Sequence, residues 1–136
     1  MERAMTVETL QIIRRYVFLI IGLTCVGYAM MYLVLGLSGV LSPFLPGVIG
    51  LLGGATIWGA SLVGGHSVAN AVFDELSRQE WGKALKFGYW QAVGLYPVFG
   101  MLLWLGLVEP MQSFAVMGTL TGGVPLLYYC WLDGRG

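Results

Sequence analysis

Residues 16–37 read YVFLIIGLTCVGYAMMYLVLGL, twenty-two positions without a Lys, Arg, Asp or Glu. A bilayer's hydrocarbon core is about 30 Å thick and takes about 20 apolar residues to cross as a helix. The stretch has that length, and three more like it follow, at about 48–70, 87–108 and 113–131, all free of formal charge. The runs are continuous rather than alternating, which argues against the dyad pattern of a lipid-facing barrel strand. Helices also satisfy every backbone group internally, as lipid requires. The expectation is an all-α polytopic membrane protein. It has one domain over 1–136, with four transmembrane helices in an up-down bundle held by Gly-rich contacts.

Composition agrees. Charged residues make up 10% of the chain and hydrophobic residues 57%, against roughly 25% charged in soluble domains. Such a chain cannot clothe a water-facing surface, and it is too rich in aromatics for disorder. Two Cys are too few for a disulfide framework. Cys25 at mid-depth and Cys130 near a boundary read as free, small apolar residues.

The cations set the expected orientation. Arg3, Arg14 and Arg15 precede the first span, Arg78, Lys83 and Lys86 lie between the second and third, and Arg135 follows the fourth. The connections 38–47 and 109–112 carry no Lys or Arg. By the positive-inside rule both termini and the 74–86 loop are cytoplasmic. The first span reads as retained, because it is longer than a signal peptide's apolar region and lacks a small-residue cleavage site. The lead from Thr6 to Arg15 reads either as an interfacial amphipathic segment or as a watery continuation of the first helix. Pro43, Pro46 and Pro110 punctuate the outer connections.

Glycine supplies 21 positions. Small residues let membrane helices approach closely where apolar burial alone gives no drive. Gly50 and Gly54 form a GxxxG step in the second span, with Ser61 and Gly65 near the same face. Gly118 and Gly122 repeat the spacing in the fourth, where Gly123 and Pro125 predict a kink. These six residues, Gly50, Gly54, Ser61, Gly65, Gly118 and Gly122, are the expected helix-packing set. The second helix is expected at the centre of the bundle, or buried against something else.

His66 is the single histidine, in Gly64-Gly65-His66-Ser67. A polar residue inside a span is a functional candidate. The imidazole could ligate a chlorophyll-type pigment or a haem, with the glycines making room for the macrocycle, or sit hydrated at the boundary. His66, Asn70 and Asp74 fall at i, i+4 and i+8, a stripe leaving the membrane. The hydroxyls of Thr24, Thr56, Ser61, Thr119 and Thr121 are expected to bond carbonyls of their own helices. No buried carboxylate marks an ion-driven transporter.

The 74–86 connector reads as a solvated helix with Asp74–Arg78 and Glu80–Lys83 pairs. Asp74, Glu75, Arg78, Glu80 and Trp81 form a candidate docking surface for a partner, while its carboxylates have no His or Cys beside them to make a metal site. The chain has no Ser/His/Asp set, HExxH, CxxC or phosphate-binding Gly loop, so an enzyme is not expected. Its cations are matched by as many anions, so nucleic acid is not an expected partner.

The connector and its flanks carry a resemblance. Asp74-Glu75, Arg78 and the Ala84-Leu85-Lys86-Phe87-Gly88-Tyr89-Trp90 segment resemble an uncharacterised family of prokaryotic four-helix membrane proteins with an Asp-Glu-containing cytoplasmic loop. That family carries a basic residue directly after the acidic pair, where this chain has Leu76. The resemblance implies four spans and a prokaryotic inner membrane, and brings no activity or site residue.

Taken together, the expected function is a non-enzymatic accessory or assembly subunit of a larger membrane complex. The expected partners are the lipid bilayer and other membrane subunits or further copies of the chain. The alternatives are a small oligomeric carrier or channel, and a pigment- or haem-binding protein through His66.

Overall fold

The computed structural model describes residues 6–35 and 44–135. These are all-helical, in four elements: α1 (Val7–Leu35), α2 (Leu45–Val72), α3 (Glu75–Trp104) and α4 (Pro110–Asp133). Three of them, α1, α2 and α4, are long and apolar enough to cross a membrane. α3 is uncharged from Phe87 onward, but Gln91, Tyr89, Tyr96 and Pro97 dilute its hydropathy. The connection between α1 and α2, with Pro43, lies outside the described residues, as does Arg3.

The helix ends have identifiable causes. α1 begins at Val7, so the lead is continuous with the first predicted span. Pro46 stands in the first turn of α2 and Pro110 in that of α4, where a missing N–H costs nothing. Asp74 caps α3, its carboxylate accepting the Ser77 backbone N–H at 2.9 Å. The predicted connector is therefore the opening of α3 itself. At its other end α3 stops at Trp104, short of the predicted 108. Gly106 adopts φ 69°, the Leu107 N–H bonds the Leu102 carbonyl at 3.0 Å, and the Gly106 N–H bonds Leu103 at 3.0 Å. This is a Schellman motif, which needs the left-handed conformation that glycine takes without a Cβ clash.

α1 and α4 share the centre. They pack on each other along their length, α3 packs on another face of α4, and α2 packs on α1. The first two pairings are antiparallel. Gln112 Nε2 donates to the Tyr32 carbonyl at 3.3 Å near one end of α1, and Cys130 Sγ donates to the Arg15 carbonyl at 3.6 Å near the other. Between α3 and α4, Gln91 Nε2 donates to the Leu120 carbonyl at 3.3 Å. Tyr28, Ala29, Tyr32, Phe99 and Val116 form the buried core where α1, α3 and α4 meet. Cys25 and Cys130 are buried and free.

The glycines that pack are not the expected ones. A Cβ on Gly123 would lie 2.6 Å from Cys25 Cβ and 3.2 Å from the Gly22 carbonyl oxygen. One on Gly22 would lie 2.7 Å from the Leu127 side chain and 3.1 Å from the Gly123 carbonyl oxygen. These two glycines face each other and set the approach of α1 and α4. Gly88 receives the Pro125 ring, and Gly53 receives Ile21. Gly50, Gly54, Gly118 and Gly122 meet nothing within 4 Å. Spacing along one helix cannot say which face a neighbour occupies, so GxxxG steps and true contacts diverge here.

α2 is peripheral rather than central. Of its residues only Pro46 and Val72, at its two ends, are buried. It is also broken: Gly65 has φ 80° and ψ 168°, inside an otherwise helical run. The break answers a length mismatch. Gly53 sits against Val17 and Ile21, while the Val72 carbonyl meets Arg14. A straight helix from 53 to 72 would advance about 28 Å, but residues 14 and 21 of α1 are only about 10 Å apart along its axis. The chain must depart from α1 and return, and Gly65 makes the turn. α4, by contrast, contains no positive-φ residue at Gly122 or Gly123 and runs as one helix past Pro125.

Candidate functional site

Arg14 marks the site. On α1 it follows Leu10 by four residues and precedes Ile21 by seven, so helical periodicity places it on the buried face while Arg15 points outward. Its side chain is 2% exposed. Nη1 donates to the Val72 carbonyl at 2.8 Å and approaches Ser77 Oγ at 3.5 Å, and Nη2 reaches Asp133 Oδ1 at 3.4 Å. The guanidinium stands 5.6 Å from the Phe73 ring centroid and 5.4 Å from that of Tyr129. One cation thus joins α1 to the end of α2, the start of α3 and the end of α4.

Each partner has a physical reason. The Val72 carbonyl is one of the acceptors a helix leaves open at its C-terminus, where positive charge is also favoured. Ser77 lies in the first turn of α3, placed by the Asp74 cap. Asp133 is the last residue of α4 and forms with Arg14 the one ion pair among the described residues. Asp74 has its carboxyl held below the usual range. The Ser77 backbone N–H is the main cause, aided by the Ser77 side chain and more weakly by the Arg14 charge, against a small opposing effect of desolvation.

Beside Arg14 lies a cavity of about 290 Å³, walled by Phe18, Phe73, Trp81, Tyr129, Ser77 and Arg78. Phe18, Trp81 and Tyr129 form a mutual aromatic cluster with centroids 5.3–5.6 Å apart. The Nε–H of Arg14 is buried and has no acceptor. Arg78 is exposed and makes no ion pair among the described residues. It also lines a more open groove with Asn70, Phe73, Asp74 and Gln79.

The candidates read from sequence distribute unevenly around this junction. Arg78 and Trp81 line the cavity, Asp74 caps α3, and Glu80 is half-buried on the flank. The side chain of Glu75 lies outside the described set. The expected Asp74–Arg78 and Glu80–Lys83 ion pairs are not formed among the described residues; the Asp74 carboxylate caps α3 instead. His66 is exposed just beyond the Gly65 break. The stripe from His66 to Asp74 is cut short: α2 ends at Val72, and Asp74 belongs to the next helix. Gly65 therefore serves a change of backbone direction rather than a close packing contact. Thr56, Ser61 and Thr119 each bond a carbonyl four residues back, at 2.8 Å, as expected. Groups of three or more His, Cys, Asp or Glu able to hold a metal are absent among the described residues.

Arg14 itself was missed as a site residue, since adjacent Arg14 and Arg15 read as topogenic charge. The signal was the spacing of Leu10, Arg14, Ile21, Cys25, Tyr28 and Tyr32, the buried face of α1. Comparison with known protein families, curated proteins and solved structures finds no match to this chain.

Proposed function

We propose that the chain is an integral membrane protein of four spans with both termini cytoplasmic, serving as a non-enzymatic subunit held to a larger membrane assembly through α2. One observation carries the reading. α2 is 28 residues long and apolar, yet only Pro46 and Val72 at its ends are buried, and one face is exposed along its length. Gly47, Gly50 and Gly54 on its first half meet nothing within 4 Å. An exposed apolar face of this extent is untenable in water. In lipid, a ridge without side chains is a surface on which another helix can close. The charge distribution, with seven Lys and Arg on one predicted side, supports the orientation. The prokaryotic inner membrane is the setting that the resemblance in the connector favours.

The test is solubilisation of native membranes in mild detergent, followed by native electrophoresis. The chain is expected to migrate with other subunits, and Gly54→Leu to release it while its own fold persists. Migration of the wild-type chain as a lone monomer would sink the proposal.

A further inference from the structure

We infer that the cavity beside Arg14 is a binding site for the anionic headgroup of a phospholipid from the leaflet facing this end of the molecule. The cavity joins two unlike walls. Phe18, Trp81 and Tyr129 give it an aromatic side fit for the first carbons of an acyl chain or a glycerol backbone. Arg14, Arg78 and Ser77 give it a side fit for phosphate oxygens. No carboxylate lines it. Arg14 is already matched by Asp133 at 3.4 Å, which leaves Arg78 as the charge in excess.

Two further observations point to a ligand. The Arg78 guanidinium is exposed and makes no ion pair among the described residues. Phe73 and Arg78, which line the cavity, also line the open groove beside it. Asp74 lines that groove, but its carboxylate accepts from Ser77. Basic pockets between membrane helices on the cytoplasmic side suit anionic headgroups, and an arginine fork matches phosphate geometry. Trp and Tyr at the same level favour the interface. The inference rests on the membrane reading but needs no partner at α2.

The experiment uses the purified full chain in a neutral maltoside detergent and follows its melting midpoint. Dihexanoyl phosphatidylglycerol, dihexanoyl phosphatidylcholine and inorganic phosphate are titrated separately. Phosphatidylglycerol is expected to raise the midpoint saturably, and the other two to leave it unmoved. Arg78→Gln, at an exposed position, should fold normally and weaken the phosphatidylglycerol response about tenfold, the loss of one charge-assisted contact. Lys83→Gln, an equal charge change outside the cavity, should retain the response. Equal responses to the two lipids would overturn the inference, as would full potency of inorganic phosphate alone. So would an unchanged response in Arg78→Gln, or an equal loss in Lys83→Gln. A chain that forms no complex in native membranes yet responds to phosphatidylglycerol would remove the subunit proposal and leave this site standing.

Discussion

The seam between α1 and α4 and the length of α2 use the same residue to opposite ends. At the seam, Gly22 and Gly123 each present a carbonyl within about 3.2 Å of where the other's Cβ would stand. Along α2, glycines at 47, 50, 54 and 59 border open space. Glycine permits approach but does not cause it. What closes the seam is the side chains that fill it, with Leu127 lying over Gly22 and the Cys25 Cβ against Gly123. α2 offers a ridge that finds no such counterpart among the described residues, apart from Ile21 and Val17 over Gly53.

The contrast can be broken most forcefully at Arg14, the residue that fastens α2's far end to the seam. Arg14→Met removes bonds to Val72, Ser77 and Asp133, and breaking a buried pair of this kind costs about 3 kcal/mol. Unfolding in detergent should show that loss. A variant as stable as the wild type would mean the junction holds nothing together. Next, Gly123→Val forces a branched side chain against the backbone of α1. Overpacking of this sort destabilises by about 2 kcal/mol, and cysteine cross-linking between α1 and α4 would report the separation.

A smaller effect belongs to the Gly65 break. Gly65→Ala places a side chain at φ 80° and ψ 168°, an essentially glycine-only region that costs other residues on the order of 1 kcal/mol or more. Spin-label distances between positions 57 and 71 should lengthen if the helix straightens to escape the strain, and an unchanged distance with unchanged stability would refute the account. Acid acts at the start of α3. Asp74 has a lowered carboxyl pKa because it accepts from Ser77. Its contribution is therefore present at neutral pH and disappears as pH falls through the folded value, below the ordinary aspartate range. Protection of the Ser77 amide, measured relative to its intrinsic exchange rate, should fall over that window, and Asp74→Ala should show the low protection at neutral pH already. Smallest of all is Gly54→Ala, which should shift the isolated chain's stability by less than about 0.5 kcal/mol. A large loss there would dissolve the distinction between the two regions.

The helices themselves were legible because lipid-length apolar runs have one simple resolution. Pro46 and Pro110 read as connection residues, yet they stand in the first turns of α2 and α4, which begin about three residues ahead of the expected spans. Three features were not legible, each for a reason. The connector's fusion with α3 depends on Asp74 choosing the Ser77 N–H over Arg78, a competition between two local partners. The break at Gly65 depends on where α1 lies, which the glycine pair alone does not encode. The junction depends on residues 58 to 119 positions from Arg14, so only the periodicity of α1 hinted that this arginine faced inward.

That separation along the chain bears on how the molecule is made. Synthesis runs from the N-terminus, so Arg14 leaves the ribosome well before Val72 and Ser77, and 119 residues before Asp133. Val72 and Ser77 follow first, so the guanidinium has its neutral acceptors long before its counter-ion. The last turn of α4 then delivers the anion that completes the junction.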